Sequence, residues 1–253
     1  MNQFLRVGVI AGFLALGIHS QAEATLMISG TIGGVSFCAT DNNSVCTFGT
    51  QLTDTNALAG TLSIADNTLI GGISFTGSAQ QATYGPTQNI LNTSFLQATN
   101  TTGATIVGTV AVSATSFVGP ATTAFASGSA TYQNAVGSST TIEWYNDPTN
   151  SQGAENPADR PGTMIATTTK NVTLVADALA FVAGPVPVND PNLFSMTIGT
   201  NFSLVAGGTI VGNSQTELKP TISQVPEPAT LALFGTGLTW LGARRRRQRQ
   251  QER

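Results

Sequence analysis

The feature that most constrains this chain is a twofold alternation of apolar and polar side chains, recurring wherever the sequence is apolar enough to make a core. Phe194, Met196, Ile198, Phe202 and Leu204 fall on one side, with Ser195, Thr197, Asn201 and Ser203 on the other. Leu69, Ile73 and Phe75 make a second stripe, and Ile106, Val110, Val112 and Ala114 a third. Leu62 with Ile64 and Ile142 with Trp144 add shorter ones. Successive side chains of a strand point to opposite faces, so this period belongs to half-buried strands. No long stretch carries the i, i+3, i+4 spacing of an amphipathic helix.

Turn chemistry separates the stripes at Asp41-Asn42-Asn43, Asp66-Asn67, Gly85-Pro86, Asn100-Thr101-Thr102-Gly103 and Gly119-Pro120. The apolar phase slips by one residue between Val172-Leu174 and Leu179-Phe181, which predicts a β-bulge or bend near Ala176-Asp177. Alternation with one wetted face predicts an all-β body, an antiparallel β-sandwich of jelly-roll or immunoglobulin-like type. A β-solenoid is the second choice, because no fixed repeat of about 20 to 30 residues runs through the chain. The body is expected over residues 25–208, with 209–224 as a spacer.

Residues Met1 to Ala24 have the layout of a secretory signal peptide. Arg6 is the cationic start, Val7 to Ile18 the apolar segment, and Ala22-Glu23-Ala24 the small-x-small cleavage site. Cleavage there makes Thr25 the first mature residue; a retained membrane anchor is the alternative. Between Thr25 and Pro228 three basic side chains stand against eleven acidic ones, a net charge of −8, whereas the whole chain carries −3. An acidic body predicts no nucleic acid and no anionic membrane surface as partner. The single histidine, His19, lies inside the leader. The mature body therefore has no histidine base, no Ser-His-Asp or Cys-His arrangement and no histidine-ligated metal. No cofactor or metal site is expected.

Cys38 and Cys46 are the two cysteines, and in an exported chain they are expected to form a disulfide across a hairpin loop, worth about 2.5 kcal/mol on chain entropy. A redox or metal pair would want closer spacing and further ligands. Asp41-Asn42-Asn43 does not make an EF-hand, since Val45 replaces an oxygen ligand and the glycine is missing.

The densest polar and aromatic cluster is Glu143, Trp144, Tyr145 and Asp147, followed by Glu155 and Asp159 in the longest irregular stretch, Asn146 to Gly162. A loop of that length is usually functional or mobile. If Ile142 faces the core, so does Trp144, and Glu143, Tyr145 and Asp147 share a solvated face. With Asp159 they form the candidate surface for a sugar or a cation. Two carboxylates flanking a sugar would make a glycosidase, but spacing two apart on one strand face is ordinarily solvated charge. No catalytic residue is assigned. Asn-x-Ser/Thr sequons at Asn42, Asn92, Asn100, Asn171 and Asn201 follow from composition.

The C-terminal segment is of a different kind. Pro226-Glu227-Pro228 forces an extended entry, Ala229 to Ala243 is uncharged and apolar, and Arg244, Arg245, Arg246 and Arg247 form a cationic stop. At about 1.5 Å per residue the apolar run spans only roughly 23 Å, short for a hydrocarbon core of roughly 30 Å. Local thinning and arginine snorkelling make up the difference. The arginines hold that end on the cytoplasmic side, with Trp240 at the interface. A buried core helix with a basic tail would need no Pro-Glu-Pro entry. A nucleic-acid patch is inconsistent with export.

This order of elements resembles the PEP-CTERM sorting domain of Gram-negative bacteria. The resemblance implies recognition at Pro226, Glu227 and Pro228 by an exosortase-type membrane enzyme, a single transmembrane helix before processing, and transient residence in the inner membrane. The body would lie in the periplasm first, then at the cell surface or outside the cell. Association with exopolysaccharide and biofilm, with extracellular polysaccharide as a partner, follows from the same resemblance. The sequence thus favours a non-catalytic surface or matrix protein. The alternative is a carbohydrate-active enzyme or carbohydrate-binding module working through Asp and Glu side chains.

Overall fold

The computed structural model describes residues 25–83 and 88–220. Fourteen strands form there, and no α-helix. The first three are β1 (Leu26–Ile32), β2 (Val35–Thr40) and β3 (Thr50–Gln51). Then come β4 (Thr61–Ser63), β5 (Thr68–Ile70), β6 (Ile73–Thr83) and β7 (Asn89–Asn100). The long strands β8 (Ile106–Val118), β9 (Ala121–Gln133), β10 (Ser139–Asp147) and β11 (Thr163–Asn171) follow. The chain of strands ends with β12 (Ala176–Asp190), β13 (Leu193–Leu204) and β14 (Thr209–Lys219).

Two sheets pack face to face. The first has the order β11-β10-β13-β8-β1-β2-β3, the second β12-β9-β14-β7-β6-β4, with β5 paired to β6. From β7 onward the chain changes sheet at every connection except β10 to β11. The quartets β8-β13-β10-β11 and β7-β14-β9-β12 are the two halves of an eight-stranded jelly roll. The N-terminal strands lengthen each half at one edge. Every pairing is antiparallel except β2 with β3.

The predicted stripes face the space between the sheets. Phe194, Met196, Ile198 and Leu204 of β13 are buried, as are Val110, Val112 and Ala114 of β8 and Leu62 and Ile64. Trp144 has no exposed surface and stacks on Phe181, centroid to centroid 5.2 Å at 15°. This ring pair joins β10 of one sheet to β12 of the other. Room for the indole comes from Gly128 of β9, where a Cβ would sit 3.0 Å from Trp144 Cζ2.

Three expectations are corrected and a fourth is narrowed. Residues 209–219 are not a spacer but β14, hydrogen-bonded between β9 and β7 in the middle of the second sheet. Ile210, Ser214, Thr216 and Leu218 point inward, and two hydroxyl residues among them disguise the period. Of the bulge or bend expected near Ala176, the bend forms, at Leu174-Val175, where the chain leaves β11 in one sheet and enters β12 in the other. Val172 is buried there, while Leu174 and Val175 are exposed.

Leu69 does not belong with Ile73 and Phe75. Gly71 and Gly72, at φ of 55° and 84°, make a two-residue turn that pairs Ile70 with Ile73 and leaves Leu69 exposed. Finally, Cys38 and Cys46 are bonded, but not across a hairpin. The bond spans the loop that carries β2 round to its parallel neighbour β3.

The expected signal peptide, the Gly85-Pro86 turn and the whole C-terminal segment from Val225, apolar run included, lie outside the described residues. Among the described residues no helix is long and apolar enough to cross a membrane.

Candidate functional site

The alternation that buries Ile142 and Trp144 sends Glu143 and Tyr145 to the outer face of the first sheet. That face is not open to solvent. Residues 148–162 fold back over it as a strap, and the polar side of β13 lies underneath. Ser195 and Thr197, expected to be wet, are 0% and 1% exposed. Ser195 Oγ donates to Ser151 O at 2.6 Å, Thr197 Oγ1 bonds to Ser113 Oγ at 3.0 Å, and Gly153 N donates to that same Oγ at 3.1 Å. Ala154 packs with Met27 and Ala111 in a small apolar cluster of its own. The irregular stretch is thus a covering layer whose backbone donors and acceptors are met by hydroxyls of β8 and β13.

Arg160 fixes the far end of the strap. Its guanidinium pairs with Glu143, Nη2 donates to Asn201 Oδ1 at 3.1 Å, and it rests on Gly199, the residue opposite Glu143 in the ladder. Burial lowers its pKa, but a guanidinium titrates so far above neutrality that it stays charged beside Glu143. Asp147 fixes the near end. It is 4% exposed, and its carboxylate accepts from Thr149 N at 3.0 Å, Thr149 Oγ1 at 2.8 Å and Ser151 N at 3.0 Å. Burial pushes the Asp147 pKa up, but the bonds from Thr149 and Ser151 outweigh it and hold it below the ordinary carboxylate value.

The expected solvated face of Glu143, Tyr145 and Asp147 is therefore corrected. Glu143 is ion-paired, Asp147 is a buried turn cap, and Tyr145 is half-buried. Asp159 is half-buried in the strap, where its backbone closes a turn with Asn156 and Ala154. The structure brings all four to one side of the molecule, with the first three engaged by the strap or beside it. Sequence reasoning missed Arg160, Gly199 and Asn201. One signal pointed to the first: Arg160 is the only arginine in a strongly acidic body, so a carboxylate partner was to be expected.

The outer face of the second sheet is open. Ser129, Thr131 and Gln133 of β9 and Asn213 of β14 are exposed on it, with Gln97 and Thr99 of β7 continuing the same rows. Ser129 Oγ donates to Asn213 Oδ1 at 2.8 Å, and Thr99 and Thr209 hydroxyls meet at 3.1 Å. These side chains make an uncharged patch of hydroxyls and amides, on a face that also carries the exposed Val182 and the Glu217–Lys219 ion pair. Among the described residues no cluster of three or more His, Cys, Asp or Glu side chains is placed to hold a metal.

Residues 224–247 match the PEP-CTERM protein-sorting motif. The chain thus carries the address of an exported protein that is tethered transiently to the membrane and processed by an exosortase. No curated protein sequence matches it. Among solved structures, TmCBM61 in complex with β-1,4-galactotriose is similar over 56% of this chain and 88% of its own, at 7% identity and a TM-score of 0.33. A carbohydrate-binding module of the β-sandwich superfamily is similar over 70% of this chain and 66% of its own, at 14% identity and a TM-score of 0.29. The enzymatically active domain of bacteriophage CBA120 tailspike protein 4 is similar over 56% of this chain and 19% of its own, at 14% identity and a TM-score of 0.29. Likenesses this distant transfer neither ligand nor activity.

Proposed function

We propose that this is a non-catalytic protein of the cell surface or extracellular matrix, made with a cleaved leader, released from its membrane tether by an exosortase, and held among exopolysaccharide of the biofilm. The observation that carries this reading is the sorting motif at residues 224–247. Two features of the body support it. Its mature chain lacks histidine, and the outer face of its second sheet carries an uncharged patch of hydroxyl and amide groups around Ser129, Thr131 and Asn213, which suits hydrogen bonding to neutral sugar. We place the main polysaccharide contact on that open face, around Ser129, Thr131 and Asn213, and a lesser one beside the strap, at Tyr145 and Asp159.

The test is retention of the exported protein on polysaccharide isolated from its own host, followed by a glycan array. Wild type is expected to be retained. A Ser129/Thr131/Asn213 triple alanine variant should lose most of the retention, and Tyr145→Ala a smaller share. Full retention by both variants would remove both surfaces from the proposal. Depolymerisation of the glycan by the wild type would establish the enzyme reading instead.

A further inference from the structure

Among the described residues the sandwich has three basic side chains, and each is committed. Arg160 pairs with Glu143, Lys170 with Asp177 at 2.6 Å, and Lys219 with Glu217 at 2.7 Å. Asp190, the last residue of β12, shares in none of these. It is 1% exposed. The donor that reaches its carboxylate is Asn146 Nδ2, at 3.0 Å from Oδ1 and 2.9 Å from Oδ2. Asn146, the penultimate residue of β10, is itself 4% exposed, and its Oδ1 has no hydrogen-bond partner.

The pair thus holds three buried acceptor oxygens, one of them without a donor, and among the described residues no basic side chain pairs with the carboxylate. A buried charge left this way is costly, and buried polar groups are ordinarily matched. Burial, opposed by the Asn146 bond and reinforced by the charge of Asp147, raises the Asp190 pKa.

We propose that Asp190 and Asn146 form an inter-sheet site for a hard divalent cation of the calcium type, which ties β12 of the second sheet to β10 of the first. The N and O of an amide exchange places on a half turn of the side chain. That turn puts Asn146 Oδ1 where Nδ2 stands, about 3 Å from both Asp190 oxygens. Oxygens bound at about 2.4 Å to one Ca²⁺ keep roughly that separation. The cation offsets the Asp190 charge and satisfies the orphaned Oδ1, and two side chains only begin its coordination shell. Such a sparse ligand set belongs with the affinities of extracellular modules, about 10⁻⁴ to 10⁻³ M.

The experiment is thermal unfolding of the full exported protein, stripped with chelator and titrated with CaCl₂. Wild type should gain about 3 to 5 °C in Tm at roughly ten times Kd, saturably. Asp190→Asn should abolish the gain, while raising the Tm of the calcium-free protein because the buried charge is gone. Asp41→Asn, in a separate buried acidic loop, should keep the full calcium response. If Asp190→Asn does not fold, Asn146→Ala takes its place, and calcium retained by freshly isolated wild type is counted by elemental mass spectrometry. A stripped wild type indifferent to calcium would overturn the proposal, as would a response that survives in both variants. Neither result bears on polysaccharide retention, which is measured separately.

Discussion

Arg160 occupies the space that a Cβ on Gly199 would need, lying across that residue to reach Glu143. The absence of a side chain at one position of β13 is therefore what lets the strap be pinned to β10. Gly199→Ala should push the guanidinium off its seat. Arg160→Ala should cost about 2 kcal/mol, below the roughly 3 to 5 of a fully buried pair because both partners keep some solvent. In each variant limited proteolysis is expected to cut within 148–162 at least several-fold faster. Unchanged cleavage would mean that Ser113, Ser195 and Thr197 hold the strap without the ion pair.

Trp144 and Tyr145 are neighbours with opposite fates. Trp144→Ala removes a fully buried indole and its stack on Phe181, and should cost about 3 to 5 kcal/mol. Tyr145→Ala, on the strap side, should cost less than about 1 kcal/mol. A double-mutant cycle of Trp144 with Phe181 should show a coupling of about 0.5 to 1.5 kcal/mol. Denaturant unfolding of the variants checks all three values.

The Cys38–Cys46 bond closes a short local loop at the sheet edge next to β3. Reducing it should lower stability by about 2 kcal/mol and leave the jelly roll folded. Non-reducing peptide mapping of exported material should join the two peptides; free thiols in material never exposed to reductant would remove the bond from the account.

Lys170 and Asp177 close the edge of the sandwich between β11 and β12. The bond from Lys170 and then that from the Thr173 backbone lower the Asp177 pKa to about 2. A carboxylate whose folded pKa is depressed adds stability above its unfolded value, near 3.9, and loses it as pH falls through the folded one. The Tm gap between wild type and Asp177→Asn should therefore be constant above about pH 5 and close between about pH 4 and pH 2. A gap that ignores pH would separate the bond from the charge.

Sorting is tested at its motif. Glu227→Ala should leave the protein in the membrane fraction with its tail uncut, while wild type released by the host should lack the Arg244–Arg253 segment in mass spectra. Released protein with that segment intact would count against processing at the motif.

Much of this fold was legible in the sequence, and the illegible parts have physical reasons. Stripes such as Phe194-Met196-Ile198 announce strands because burial of one face is a local pattern. The order of strands is not local: β8 touches β13 and β1, and nothing near Val112 names either partner. β14 escaped because Ser214 and Thr216 fill inward positions where an apolar residue would have marked the period. The strap escaped because its anchors are ordinary hydroxyls, Ser113 and Thr197, which composition alone assigns to solvent. Glu143 and Asp147 were found as a cluster but misread as free, since only the fold brings Arg160 back over β10 and the Asp147 turn down onto β13.

The position of β14 has a consequence for how the chain is made. Among the described residues it is the last strand to leave the ribosome, and it is the one that separates β9 from β7, so until it arrives the second sheet stands as two pieces with two raw inner edges. A chain terminated early lacks the sorting motif and also lacks the strand that heals those edges. An unfinished molecule is thus both unaddressed and visibly incomplete to any protease on the far side of the membrane, and only full translation yields a body fit to be delivered.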